Sequence, residues 1–332
     1  MNFYPFHDSQ LIKNQAKYNG KQTLQRRFLY LFLLYLGASI LSTFITSVVI
    51  FFLADEQIYA LSLSYLRGEI TNLEYSDAIY ALSAEVASLP PVMLASLFCT
   101  GFTAAAILIY ALVIEKRSAA AFALGGSPKN IVFSWLLGSI GGGVAMSLVV
   151  FACQALGAVT ITNSLGIWWK ILPYFFAFLI QAFSEEIFFR GYVLTLFLRT
   201  KVNVWWACII SAALFALLHS SNAGISILAI CNLFLFGLVL AFLTLRTGNL
   251  WAATAIHALW NFVQGNVFGI SVSGNPLLPS LWNVVLVPER QLTHGGNFGL
   301  EGGCITTLLL LLSLLAVIYI PKKNRDKSPT QE

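Results

Sequence analysis

The chain has 332 residues, 58% of them hydrophobic and 10% charged, with mean hydropathy +0.78. Soluble domains run near 25% charged, so composition excludes them and predicts a polytopic, all-α membrane bundle. The net charge of +5 needs no nucleic acid to explain it, because the basic residues gather between apolar runs.

Residues 1–27 form a polar, basic leader with Lys13, Lys17, Lys21, Arg26 and Arg27, and no cleaved signal is expected there. The first apolar run, Phe28 to Ala54, is long enough to span a bilayer. An acidic loop follows over 55–88, with Asp55, Glu56, Glu69, Glu74, Asp77 and Glu85 against Arg67 alone. Its apolar residues at helical spacing suggest a short surface helical pair. The second span runs from about Leu89 to Ile114, and Glu115, Lys116, Arg117 and Lys129 mark the next loop. The third, about 131–158, carries Gly138-Ser139-Ile140-Gly141-Gly142, a small-residue face suited to close helix packing. Residues 28–165 thus form an N-terminal set of three spans.

The fourth segment follows Trp168-Trp169, plausible interfacial anchors, and reaches Leu198 before Arg199 and Lys201. Segments five to seven cover Val204–His219, about Ile225–Leu245 and Leu250–Phe268. Residues 166–268 are set apart as the core that carries chemistry. A polar, glycine-rich loop over 269–303 leads to the last span, Cys304–Ile320, and a basic tail over 321–332. Eight spans would put the leader, the 115–129 loop, the 199–203 turn, Arg246 and the tail on one side, so both termini are expected in the cytoplasm. The five cysteines are odd in number and scattered through apolar segments, and read as small core residues.

Glu185, Glu186 and Arg190 sit inside the apolar run that starts at Ile171. A charge at mid-bilayer costs roughly 2.5–3.5 kcal/mol, so three together point to function. Glu186 and Arg190 are at i and i+4 and can pair, while Glu185 is rotated by about 100° toward other partners. Glu185 and His219 lie equally far from the turn near Val202, so an antiparallel hairpin sets them at one level, roughly 25 Å from its tip. His257 reaches that level if the tip projects about 10 Å into the cytosol. Segment five then ends mid-membrane, and Ser220–Gly224 lines a wet cavity. His257 and Asn261 share a face of segment seven.

A free glutamate beside a histidine can take a proton from water and pass it to a leaving amine, and the Asn261 amide could hold an oxyanion. Glu185, His219 and His257 also compose a His2Glu zinc set with an open position. Buried acids and histidines suit a proton-coupled transporter too. His7, His294 and the loop acids read as solvated. There is no His-Glu-x-x-His, Gly-x-Ser-x-Gly or Walker-type motif, which leaves zincins, serine hydrolases and ATP-driven pumps unsupported.

Three motifs in order resemble the CPBP family of CAAX-processing and bacteriocin-processing intramembrane proteases, also called the Abi family. They are Glu185-Glu186-Ile187-Phe188-Phe189-Arg190 with Gly191-Tyr192, Phe215 to His219, and His257 to Asn261 after Gly248-Asn249-Leu250-Trp251. The resemblance covers about 168–268. It implies an eight-helix bundle with a catalytic cavity inside the membrane, and an endopeptidase acting on a membrane-associated or prenylated-type peptide. It implies Glu185 and His219 activating water, His257 and Asn261 orienting it or holding the oxyanion, and Glu186 and Arg190 in support. Both a Zn2+ enzyme and a metal-free glutamate mechanism are consistent with it. The competing readings are a non-proteolytic scaffold or immunity factor on the same fold, and the transporter.

Overall fold

The computed structural model describes residues 6, 9–15, 23–163, 168–200, 202–275 and 279–320. His7, Lys17, Lys21, Lys201 and the 321–332 tail lie outside the described residues.

The chain opens with a short helix α1 (Gln10–Gln15) tucked against the bundle. Ser9 Oγ donates to the Leu245 carbonyl at 2.7 Å, Gln15 Nε2 donates to the Ala121 carbonyl at 2.6 Å, and Phe6 stacks on Phe242. Helix α2 (Leu24–Leu66) is 43 residues long, about 64 Å at 1.5 Å per residue, roughly twice the hydrocarbon thickness. The apolar run expected to stop at Ala54 therefore continues as helix through Asp55–Leu66. There it pairs with α3 (Asn72–Ala87), whose start is fixed by a reciprocal Thr71–Glu74 capping box. Tyr65 stacks on Tyr75 and Ser62 bonds the Tyr75 hydroxyl, closing a helical hairpin over the acidic segment.

Helices α4 (Pro90–Cys99) and α5 (Gly101–Leu108), with a π-helical end at Ile109–Ile114, form the next run, and α6 (Pro128–Ala155) follows with Ser127 as its cap. A short strand β1 (Val159–Asn163) precedes α7 (Leu172–Glu186), which passes through a π-helical stretch, Ile187–Leu194, into α8 (Thr195–Leu198). Then come α9 (Val204–Leu218), α10 (Ile227–Thr247) and α11 (Trp251–Phe262) with a π-helical end at Val263–Val267. Strand β2 (Trp282–Leu286), α12 (Gln291–His294) and α13 (Cys304–Tyr319) complete the order. Each apolar segment expected from the sequence contains a helix. Among the described residues, five helical runs are long and apolar enough to cross a bilayer: Leu24–Leu66, Pro90–Ile114, Pro128–Ala155, Trp168–Leu198 and Ile227–Thr247. The protein is built as an integral membrane protein, mostly helical but not purely so. Strands β1 and β2 pair antiparallel, from Val159↔Leu286 to Asn163↔Trp282.

Two readings of charge change with tertiary structure. Arg27, Glu115 and Arg117, counted as loop charges, are buried; Arg27 Nε lies 3.4 Å and Arg117 Nη1 3.9 Å from the Glu115 carboxylate. Partners distant in sequence make that burial tolerable. His294 and Glu301, expected to be solvated, are also buried. The Nε2 of His294 sits 2.9 Å from the Val287 carbonyl, and the Gly296 amide donates to its Nδ1.

The glycine face of α6 packs on α11 with the backbones nearly touching. A Cβ at Gly138 would lie 2.4 Å from the Ala252 carbonyl oxygen, and one at Gly142 would lie 2.4 Å from that of Ile256. One at Gly141 would meet nothing closer than 3.8 Å. Since α11 carries His257 and Asn261, this contact sets the depth of the site. Gly142→Ala is therefore expected to lower the yield and melting temperature of monodisperse protein, while Gly141→Ala changes neither; equal behaviour of the two variants would contradict the packing.

Candidate active site

Glu185 and Glu186 end the regular part of α7, just before the π-helical stretch, a distortion often found at functional sites. The two carboxylates meet different environments. Both side chains of Glu186 and Arg190 are fully buried, with Arg190 Nη1 donating to Glu186 Oε1 at 2.8 Å. Arg190 Nη2 donates to the Gly237 carbonyl on α10 at 3.1 Å, and its guanidinium lies 4.9 Å over the Phe215 ring. The Glu185 side chain keeps 23% exposure and faces a cavity of about 430 Å3.

His219 is the residue that ends α9, and His257 projects from α11. The Nδ1 of His219 lies 2.9 Å from the Phe215 carbonyl, which can only accept, so Nδ1 carries the proton. The Nδ1 of His257 lies 2.9 Å from Glu186 Oε1, which already accepts from Arg190, so it too is the donor. When each ring is neutral, its Nε2 lone pair faces Glu185. Each Nε2 is 3.8 Å from Glu185 Oε2, a buried oxygen with no hydrogen-bond partner among the described residues. In that state three acceptor atoms converge with no donor among them. Phe215 and Phe236 pack against the imidazoles and form the apolar wall of the site.

The structure brings all six singled-out residues together. Glu185, His219, His257 and Asn261 line the cavity, and Glu186 and Arg190 support His257 from behind. Of the loop expected to line it, Asn222 does so. One further residue belongs with them. Gln181, one turn before Glu185, donates through Nε2 to Glu185 Oε1 and accepts from Asn261 Nδ2 at 3.0 Å. Its i−4 position in the same apolar run was the available signal.

The atoms Glu185 Oε2, His219 Nε2 and His257 Nε2 are zinc-type donors. Their 3.8 Å separations exceed the edge of about 3.3–3.4 Å expected for a tetrahedral ion with bonds near 2.05 Å. Among the described residues, no group of three or more His, Cys, Asp or Glu is arranged to hold a metal ion. The residues as placed do not fit a zinc cage, and no step is drawn through one.

Comparison with known proteins falls on this same region. Residues 167–263 match the family model of the type II CAAX prenyl endopeptidase Rce1-like proteins. The Rce1-like segment spans α7 to the end of α11 and so contains every residue of the cluster. The chain is 34% identical over 91 residues to the uncharacterized protein YyaK of Bacillus subtilis strain 168, an alignment covering 25% of this chain and 28% of YyaK. It is 26% identical over 171 residues to an uncharacterized 24.3 kDa protein of Escherichia coli, covering 47% of this chain and 75% of that protein. No solved structure matches.

Proposed function

We propose that the protein is an intramembrane endopeptidase that hydrolyses a peptide bond of a membrane-associated peptide, of the prenylated or similarly lipid-anchored kind, by glutamate-activated water. The observation that carries this reading is the convergence of Glu185 Oε2 with the Nε2 atoms of His219 and His257. Three acceptors around one point suit a molecule that brings two hydrogens and a nucleophilic lone pair. The Rce1-like match over the same residues supports it.

In this mechanism Glu185 takes one proton from water while one of the two imidazoles, His219 or His257, accepts the other hydrogen and holds the oxygen in line. The hydroxide adds to the substrate carbonyl carbon. Asn261, held by Gln181, offers an N–H to the developing oxyanion. The proton on Glu185 passes to the amide nitrogen, the C–N bond breaks, and a carboxylate and an amine leave. Glu186 and Arg190 keep His257 in the tautomer this requires. The apolar walls lower the local dielectric and strengthen each of these contacts.

The opposite wall of the cavity suits an extended peptide. Ser39, Ser42 and Thr43 of α2, Ser96 of α4, Thr100 between α4 and α5, and Thr103 of α5 place hydroxyls along it, within the apolar part of the chain. Hydroxyls there can satisfy backbone amides of a substrate that water no longer solvates. Replacing Ser39 and Thr43 together by Leu is expected to raise KM about tenfold with kcat little changed. A steady-state assay on a fluorogenic lipidated peptide in proteoliposomes reads this, and an unchanged KM would remove α2 from the substrate wall. The protease reading itself is tested by the appearance of new peptide ends, which neither a scaffold nor a transporter produces.

A further inference from the structure

The segment between α11 and α13 reads as a solvated loop but folds back onto the cavity. Val272, Ser273, Asn275 and Glu301 all line it. Val272 packs against Met93, Tyr174 and Phe178. The turn is tight against the loop that follows His219: a Cβ on Gly274 would lie 2.1 Å from the Ala223 carbonyl oxygen, and one on Gly224 would lie 2.8 Å from the Phe298 amide nitrogen. Ser273 itself holds a left-handed φ of +49°, uncommon for a residue with a Cβ and sustained only by its surroundings.

Glu301 supplies those surroundings. Its carboxylate oxygen Oε2 accepts from both the Ser273 amide, at 2.7 Å, and the Ser273 hydroxyl, at 3.1 Å. The Ser273 carbonyl accepts from Asn222 Nδ2 at 2.8 Å, and the Asn222 amide donates to the His219 carbonyl at 3.1 Å. A continuous chain of hydrogen bonds thus runs Glu301, Ser273, Asn222, His219. Glu301 is itself held. Asn232 on α10 donates to the carbonyls of Glu301 and Gly303, at 2.7 and 2.9 Å, and accepts from the Thr307 hydroxyl at 2.7 Å. Burial pushes the Glu301 carboxyl above the usual carboxylate range. The two Ser273 donors oppose that push. A buried carboxylate facing a polar cavity, outside the three motifs, calls for a role.

We infer that Glu301 is a positioning residue of this site: by clamping Ser273 it holds the roof of the cavity and, through Asn222, the loop that sets His219 opposite Glu185. The inference rests on the protease reading only for its kinetic readout. Glu301→Gln keeps an oxygen that can accept both Ser273 donors, whereas Glu301→Ala removes it. In folded protein, Glu301→Ala is expected to lower kcat about tenfold or more with KM within about twofold, and Glu301→Gln to recover most of the loss. Asn222→Ala should cost a similar factor and add little on top of Glu301→Ala, because the two act in one chain. Hydrogen–deuterium exchange of residues 270–275 in detergent or nanodiscs is measured on the same samples. It should speed up about tenfold in Glu301→Ala and stay near wild type in Glu301→Gln. Unchanged exchange in Glu301→Ala, or full additivity with Asn222→Ala, overturns the inference. A wild-type protein that cleaves nothing while the exchange pattern holds sinks the protease reading and leaves the clamp standing.

Discussion

Replacing Glu185 by Gln is expected to reduce peptide cleavage about a thousandfold or more while leaving folded protein at wild-type yield. The two halves of that result follow from different observations. Glu185 is partly exposed to the cavity, and its Oε2 has no hydrogen-bond partner among the described residues, so removing its charge strands no hydrogen-bond donor. The amide is isosteric and can still accept from Gln181 at one oxygen. What it loses is the ability to take a proton from water. Cleavage assays in proteoliposomes, normalised to the monodisperse fraction, separate the two effects. Full activity in the variant would refute Glu185 as the base.

The second large effect is expected at Arg190, and it is on folding. Its guanidinium is wholly buried and is shared among the Glu186 carboxylate, the Gly237 carbonyl and the Phe215 face. Truncation to Met leaves the Glu186 charge buried with His257 alone. Breaking a buried ion pair in this way costs about 3–5 kcal/mol, a large share of the 5–15 kcal/mol that holds a domain together. Little monodisperse protein is expected from Arg190→Met. Pairing it with Glu186→Gln removes the stranded charge and should recover folded protein, without recovering activity, because His257 then lacks the charged acceptor that fixes its tautomer. A double variant no better folded than Arg190→Met, by size exclusion and thermal melting, would mean that the pair is not what stabilises this region.

Much of this site could be read from the residues before any coordinates. The cost of charge inside lipid marked Glu185, Glu186 and Arg190, and helical arithmetic about the 199–203 turn placed His219 opposite Glu185. The glycine face of α6 was legible for a similar reason: little but close packing explains small residues at that spacing in a spanning helix. Glu301 and His294 were not legible. Their segment is glycine-rich and polar, the composition of a solvated loop, and it is buried by left-handed turns at Gly295, Gly296 and Gly299 that fold it back on the bundle. The continuation of α2 beyond Ala54 was likewise hidden, since hydropathy falls there although helical geometry does not. Gln181 stood between these cases. It lies one turn before Glu185 in the same apolar run, but only its bridge from Asn261 to Glu185 gives it meaning.

Water activated beside Glu185 is expected to cut a peptide bond inside the bilayer. The most direct test incubates purified wild-type protein with a lipidated peptide in liposomes made up in H2(18)O and reads the products by mass spectrometry. Wild-type protein is expected to yield a fragment with one heavy oxygen in its new terminal carboxylate, and Glu185→Gln none. Recovery of intact peptide alone from well-folded wild-type protein, across varied lipidated sequences, would contradict this expectation.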